Sequence, residues 1–333
     1  MTAAVVAMLL VVVTTIWALV APDEDTIDAY LARSGLKDST ELRVGVFNDQ
    51  PLLSYTEPDK RESTRLADYT GFDVEIIRAL AAYLGFSEHS VKMVDTQVQN
   101  RGLDLNNDRV DVVVASYSMT PEREQDEVNF AGPYLLSQPE VLMRAEYPRD
   151  AISIHELKEM GARLCTVGSS TSDEALRARQ VQNFVDLRAS GDCVDGLLDE
   201  TYDAFMLDDV VLAGYKDLYD EKLKLVDLPL NQTERYGIAV ANDDEALRQV
   251  IGNFLLDSHE RGSNGAWHRA WSRTLGRVLE DRRQPQPNPY QRLRDYRDRI
   301  QASTPLGLGH GRVVSPTGEG PVVRSRRSRR RQR

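Results

Sequence analysis

Short β-branched runs alternate with helical periodicities along this chain, and the alternation stops and then begins again. Leu42-Arg-Val-Gly-Val-Phe47 reads as a strand ending in a turn at Asn48-Asp-Gln-Pro51. Gly71 to Gly85 carries Val74, Ile77, Leu80, Ala81 and Leu84 at three- and four-residue steps, an amphipathic helix with glycine at its C-terminal cap. Val91-Lys-Met-Val94 is a second strand. Val110-Asp-Val-Val-Val-Ala-Ser116 is a third, almost continuously apolar, as strands buried on both faces are. The pattern restarts with a strand at Arg163-Leu-Cys-Thr-Val167 and a helix over 172–184. Strands at Thr201-Tyr-Asp-Ala-Phe-Met-Leu207 and Tyr236-Gly-Ile-Ala-Val240 follow, then a long helix over 244–260. Strands separated by helices predict an α/β fold, and the restart predicts two such units.

Length agrees: 333 residues suffice for two domains of about 150 residues each. A content of 41% hydrophobic and 28% charged residues excludes a disordered, collagenous or multi-span membrane chain. Two cysteines and five histidines, none of the histidines spaced i, i+4, leave little material for a metal centre, and no cofactor is expected. The charge is unevenly spread. Residues 281–333 hold 14 Arg against four acidic residues, while the whole chain is at -11. An acidic body with a basic tail argues against nucleic-acid binding by the folded part.

Residues 3–21 contain no charged side chain and are about long enough to cross a bilayer. Pro22-Asp-Glu-Asp25 follows, and an acidic flank favours the outer side. The segment reads as a single transmembrane anchor or, alternatively, a cleaved signal segment; cleavage after Ala21 would put Leu19 at a position where small residues are preferred. No cysteine lies near it for a lipid anchor. Either way the body is expected outside the cytoplasm, anchored to the membrane or secreted.

Six blocks in order carry a resemblance. Thr70-Gly-Phe-Asp-Val-Glu75 opens the first helix. Val110 to Arg123, with Tyr117-Ser-Met-Thr-Pro-Glu-Arg123, leads into Val128-Asn-Phe-Ala-Gly-Pro-Tyr134. Leu164-Cys-Thr-Val-Gly-Ser-Ser-Thr-Ser172, Tyr202-Asp-Ala-Phe-Met-Leu-Asp-Asp209 and Tyr236-Gly-Ile-Ala-Val240 follow, and Gly265-Ala-Trp-His-Arg-Ala-Trp-Ser-Arg-Thr-Leu-Gly276 closes the series. Over about residues 41–276 the chain resembles the extracellular solute-binding proteins, family 3, of amino-acid ABC transporters. Asp49-Gln-Pro51, Asn100-Arg101 and Phe130-Ala-Gly-Pro-Tyr134 are similar to the actinobacterial glutamate/aspartate/glutamine-binding branch.

The resemblance implies a two-lobe periplasmic-binding-protein-like (type II) α/β fold with a central cleft, preceded by one N-terminal transmembrane helix. Residues 1–22 would be the anchor or signal segment and 23–40 a linker. Residues 41–143 plus 234–276 would form lobe 1 and 144–233 lobe 2. Residues 277–333 would be a Pro/Arg-rich, largely disordered basic tail. The lobe crossings would fall near Met143-Arg144 and Pro229-Leu230-Asn231, with closure about that hinge.

A free amino acid brings an α-carboxylate, an α-ammonium and a side chain, and burying both charges requires pairing each. Arg123 offers a planar fork that fits a carboxylate, and Ser116 and Ser118 offer nearby donors. Asp208, ending a lobe-2 strand, suits the ammonium. Ser170 and Thr171 lie at a strand-to-helix turn, where donors meet a positive helix end. The bland alternatives are a solvated Arg in a turn and an Asp that merely caps a helix. The chain departs from the family at Ser169, where Gly is usual, and at Leu52-Leu53, in place of a frequent Pro-Phe. An aromatic platform is therefore left to Phe47 or Tyr117, each equally readable as core.

By the resemblance, Arg101 is the specificity residue. In acidic-amino-acid binders the matching Arg reaches the ligand side chain, and a buried Arg disfavours a hydrocarbon there. Its alternative is a surface Arg opening the next helix. Cys165 and Cys193 both fall in lobe 2; related actinobacterial binders carry both, which implies a disulfide outside the cytoplasm. Two separate buried thiols are the alternative.

The function implied is capture of glutamate, aspartate or glutamine by a monomer and delivery to a membrane ABC permease. An alternative is a sensing module that reports amino acids to a membrane signalling partner. An enzyme on the same fold is a third reading, but no nucleophile–base pair stands out in the matched blocks, so no catalysis is expected. The basic tail would be solvated or would touch cell-wall polyanions or lipid headgroups rather than nucleic acid.

Overall fold

A computed structural model describes residues 25–126, 128–280 and 282–294. Residues 3–21, the expected anchor, and 295–333, most of the basic tail, lie outside these. Among the described residues no helix is long and apolar enough to cross a membrane.

The expected linker opens instead with helix α1 (Ile27–Arg33), capped by the Thr26 hydroxyl, which accepts from the Ala29 amide. Leu31 and Leu36 bury there, so residues 27–38 belong to the fold and correct the linker reading. Strand β1 (Leu42–Val46) leads into a small hairpin of β2 (Asp49–Gln50) and β3 (Ser54–Tyr55). Helix α2 (Phe72–Leu84) follows. Gly85, at φ 93°, ends it by donating to the Ala81 and Ala82 carbonyls, as left-handed glycine caps do. Gly71 is required for two reasons: its φ is 126°, and a Cβ there would overlap the Leu53 backbone.

Strand β4 (Val91–Asp95), helix α3 (Arg101–Asn106), β5 (Val112–Val113), helix α4 (Pro121–Asp126) and β6 (Asn129–Ser137) complete the first pass through lobe 1. Then come β7 (Pro139–Arg144), α5 (Ile154–Glu159), β8 (Leu164–Val167), α6 (Thr171–Ala178) and β9 (Phe184–Leu187). Helices α7 (Ser190–Leu198) and α8 (Asp209–Leu218) flank β10 (Ala204–Asp208), and β11 (Leu223–Val226) follows. The chain returns as β12 (Glu234–Val240), α9 (Glu245–Glu260) and α10 (Ala266–Arg273).

Apart from the β2-β3 hairpin, the strands of the described residues form two five-stranded sheets, ordered β4-β1-β5-β12-β6 and β11-β7-β10-β8-β9. In lobe 1, β1 pairs in parallel with β4 and β5, while β12 runs antiparallel to β5 and β6. Lobe 2 repeats the plan, with β8 parallel to β9 and β10 and with β7 antiparallel to β10 and β11. The apolar run at 110–116 contributes only two residues of ladder. Its end bends away at Ser116, whose φ of 40° is incompatible with a continuing strand. The expected helix over 172–184 stops at Ala178, because Phe184 is already in β9.

The outgoing change of sheet is at Ser137-Gln138-Pro139, earlier than the expected Met143-Arg144. Pro139 to Arg144 is β7, whose register pairs Met143 with Ala204 of lobe 2. The return crosses within 227–233, the segment that holds Pro229-Leu230-Asn231. Lobe 1 closes on an aromatic cluster. Phe72 meets Trp267 and Trp271 edge-on at 5.6 and 6.1 Å, and the two indoles stack at 5.2 Å. The Trp267 Nε1–H donates to the Tyr134 carbonyl at 2.6 Å, so α10 is fastened to β6 as well as to α2.

The tail reading is also corrected. Residues 282–294 lie without regular secondary structure along lobe 1. Tyr290 is buried, its hydroxyl meets the Gly132 amide at 2.8 Å, and its ring occupies the space a Cβ on Gly252 would need. The Asn253 amide donates to the Gln291 carbonyl at 2.8 Å and its oxygen accepts from the Leu293 amide at 2.9 Å. Prolines supply a segment that needs few ladder partners, and the Asn288 and Arg294 amides donate to the Gly132 and Asp25 carbonyls at 2.7 and 2.8 Å.

Candidate interlobe binding cleft

The bend after β5 creates the lobe-1 wall. Arg101, the first residue of α3, is only 3% exposed, so it is not the surface Arg of the bland reading. Its Nε donates to the Val98 carbonyl at 3.2 Å, and its Nη1 to the Ala115 and Ser116 carbonyls at 2.9 and 3.2 Å. Its guanidinium lies 3.7 Å from the centre of the Tyr117 ring. Arg123 on α4 is buried too. Its Nη1 donates to the Ser118 carbonyl at 3.0 Å, and its Nη2 reaches lobe 2 at the Ser169 carbonyl, 3.1 Å away. Tyr117 thus packs between two guanidiniums and against Phe130, within the core, whereas Phe47 lines the cavity.

The lobe-2 wall comes from the C-terminal ends of β8 and β10. Ser169 takes the left-handed conformation, φ 61°, at the position where the family usually has Gly. Its amide donates to the Asp173 carboxylate at 3.1 Å, a local bond that holds the turn. The Ser170 Oγ accepts from the Asp173 amide at 3.1 Å and caps α6, which leaves its own proton free to donate. Thr171 is the first residue of that helix.

Asp208 precedes α8 but does not cap it with its side chain. The carboxylate instead accepts from the Tyr236 hydroxyl across the lobe junction, and Oδ1 has no partner although it is buried. Burial, with Glu234 nearby, pushes the Asp208 carboxyl up to about 7. A deeply buried carboxylate with a free oxygen is an acceptor for a cation.

Arg101, Ser116, Ser118, Arg123, Ser170, Thr171 and Asp208 all line one cavity between the lobes. Gln50 and Ser190 line it as well and were not read as site residues from the sequence. Gln50 could have been noticed in Asp49-Gln-Pro51, which served only as a branch signature; Ser190 has no local motif. The cavity between the lobes has a volume of about 30 Å³.

Asp49, also unassigned from the sequence, latches the lobes. Its carboxylate accepts from the Gly191 amide at 3.0 Å and from the Tyr215 hydroxyl at 3.3 Å, and burial raises its pKa above the ordinary value. Gly214 lets the hairpin close on α8, since a Cβ there would overlap the Pro51 carbonyl. Cys165 on β8 and Cys193 on α7 are joined by a disulfide, their Cα atoms 5.6 Å apart, which excludes two separate thiols.

Among curated proteins, the chain is 29% identical over 238 residues to the glutamate-binding protein GluB of Corynebacterium efficiens, covering 68% of this chain and 76% of that one. It is 28% identical over 251 residues to GluB of Corynebacterium glutamicum, covering 72% and 80%. The glutamine-binding protein GlnH of Bacillus subtilis is 24% identical, covering 72% and 83%. Solved structures share the fold. A cysteine-binding protein from Campylobacter jejuni superposes with a TM-score of 0.63 at 20% identity, covering 77% of this chain and 94% of that one. The ancestral amino-acid-binding protein AncCDT-1, described as a precursor of cyclohexadienyl dehydratase, gives 0.60 at 21% identity, covering 74% and 98%. The description of the bacterial extracellular solute-binding proteins, family 3, matches residues 42–274, and the chain belongs to that family.

Proposed function

We propose that this protein captures glutamate or aspartate outside the cytoplasm and delivers it to an ABC permease. The observation that carries the reading is a pair of opposite buried charges from opposite lobes: Arg123, and Asp208 with its unpartnered Oδ1, face one small cavity. Arg123 receives the α-carboxylate with donors from Ser118 and from Ser170 and Thr171 at the start of α6. Asp208 receives the ammonium. Arg101, firmly held in the wall, gives the side-chain end of the cleft a positive charge, and the names of the Corynebacterium relatives agree with an acidic ligand. The protein binds and releases without turnover, acts as a monomer, and is held at the membrane by residues 3–21.

Calorimetry with the twenty amino acids tests this. Glutamate or aspartate should bind best, and Arg123→Ala should cost every accepted ligand at least about 3 kcal/mol, because a buried ligand carboxylate is left unpaired. Undiminished binding in that variant would remove the proposed cleft. Consumption of the ligand by purified protein would instead point to an enzyme.

A further inference from the structure

Arg282 lies beyond the matched family region, which ends at residue 274, yet it reaches the lobe junction. One guanidinium nitrogen donates to the Leu136 carbonyl at 3.1 Å, near the end of β6, and the other pairs with the Asp209 carboxylate. The other oxygen of Asp209 accepts from the Ser137 hydroxyl and from the Gln138 amide, which belong to the outgoing crossing. Asp209 is therefore bound on one side to the crossing and on the other to the C-terminal segment, and its side chain is 1% exposed. It is also the residue that follows Asp208, so the two carboxylates leave the same turn in different directions, one toward the cleft and one toward the hinge.

We infer that Arg282 is a positioning residue for the cleft: by tying Asp209 to the C-terminal segment and, through the Leu136 carbonyl, to the end of β6, it fixes the start of α8, and with it the direction in which Asp208 faces the ligand. This rests on the reading of Asp208 as the ammonium's partner.

Two physical effects act together. The first is geometric. Asp209 holds three partners only if the crossing, α8 and the C-terminal segment keep one arrangement, and Arg282 supplies the contact to the last of these. The second is electrostatic. Acidic groups crowd this junction: Glu234 on β12 and Asp209 on α8 face Asp208, with Glu140 on β7 close to Asp209. Arg123 on α4 faces Asp208 from lobe 1, and the Tyr236 hydroxyl donates to it from β12. Arg282 balances Asp209. Without it a second buried carboxylate stands uncompensated beside Asp208, and the charged form that an ammonium needs becomes harder to hold.

The test uses the full chain and glutamate as probe, with binding measured from about pH 6 to about pH 8.5. Arg282→Met should weaken binding about tenfold or more and move the pH midpoint of binding upward, since Asp208 then keeps its proton to higher pH. Arg282→Lys keeps the charge and should recover part of the loss. Arg282→Met combined with Asp209→Asn removes both partners and should recover most of it, because no buried charge is left alone. A loss in Arg282→Met that is under about twofold, with an unmoved midpoint, overturns the inference. So does a double variant no better than Arg282→Met. Should Arg282→Met fail to fold, Arg282→Lys and the double variant decide by the same criteria.

A ligand-independent readout separates this from the functional reading. Spin labels placed through Lys92→Cys in lobe 1 and Gln182→Cys in lobe 2 report the interlobe distance without added amino acid. The distribution should broaden in Arg282→Met and narrow again in the double variant. If the wild-type protein binds no amino acid, the proposed function fails and the aiming of Asp208 at a ligand fails with it, while the broadening still supports Arg282 as the residue that holds the lobe arrangement. Identical distributions overturn that role whatever the ligand.

Discussion

Tyr236, on β12 of lobe 1, donates its hydroxyl proton to Asp208, which ends β10 in lobe 2. The bond occupies one oxygen of the carboxylate and leaves Oδ1 buried and unpartnered. A side chain that bridges two lobes and is half satisfied is poised rather than comfortable. The same carboxyl titrates near 7 because burial opposes its charge.

The sign of that shift makes the first prediction. The folded pKa lies above the ordinary 3.8, so the ligand-free protein holds a proton that the unfolded chain gives up. Stability from this group is present below about pH 4 and is lost as pH rises through about 7. Asp208→Asn keeps the shape and removes the charge. At about pH 8 the ligand-free variant should therefore be more stable than wild type, by on the order of 1–3 kcal/mol, with the gap closing toward pH 4. Binding should fall by at least about 3 kcal/mol. Melting curves at both pH values check the first part and calorimetry the second; a variant less stable at both would show that the carboxylate is structurally satisfied.

Specificity gives the second prediction. Arg101→Met keeps stem length and removes the charge. It should cost glutamate about 2 kcal/mol or more and glutamine much less, since a neutral amide forms no charge-assisted pair. Some stability should go as well, because the Val98, Ala115 and Ser116 carbonyls lose their donor. Arg123→Ala should weaken both ligands alike. Equal losses for the two ligands in Arg101→Met would assign Arg101 to holding the bend after β5 and not to reading the side chain.

Much of this arrangement was readable in the residues. The alternation of strands and helices, the glycine cap of α2 and the long helix over 244–260 are local signals, and locality is what periodicity detects. The seven cleft residues came from ordered motifs rather than from spacing. What escaped depends on distant partners. The outgoing crossing is set by which sheet Pro139–Arg144 joins, a matter of register with residues near 204 and 223. Asp49 spans the lobes only because α7 and α8 bring Gly191 and Tyr215 to it. The segment at 282–294 has the composition of a loose tail, yet its prolines, Tyr290 and Arg282 find complementary sites on lobe 1 and at the hinge.

The disulfide yields the third prediction. Cys165 and Cys193 enclose a loop of 28 positions and tie α7 to β8, away from the groups proposed to touch ligand. Reduction, or replacement of both by Ala, should cost roughly 3–4 kcal/mol through the freed chain. Glutamate affinity should stay within about threefold, since neither sulfur lines the cleft. Thermal unfolding with and without reductant, beside calorimetry, reads the two effects separately. An affinity loss as large as the stability loss would place α7, through Ser190 and Gly191, under control of the bridge.

The last prediction concerns where the folded body ends. The family match stops at residue 274, and composition alone would allow the chain to be cut soon after. The contacts say otherwise. A protein ending at Glu280 loses the Tyr290 ring from its place over Gly252, the two bonds that tie the Asn253 amide to Gln291 and Leu293, and the Arg282 partner of a buried carboxylate. Burial of one aromatic ring contributes about 2–3 kcal/mol, and an orphaned buried charge costs more. Ending the chain at Glu280 should thus lower stability by at least about 3 kcal/mol, which for a body of this size is roughly 6–12 °C in melting temperature. Ending it at Arg294 retains every one of these contacts, and also the bond from the Arg294 amide to the Asp25 carbonyl at 2.8 Å beside α1. That longer form should melt within about 2 °C of the full chain. Equal melting temperatures for the two truncations would mean that the segment rests on lobe 1 without stabilising it, and the packing around Tyr290 would have to be weaker than its burial implies.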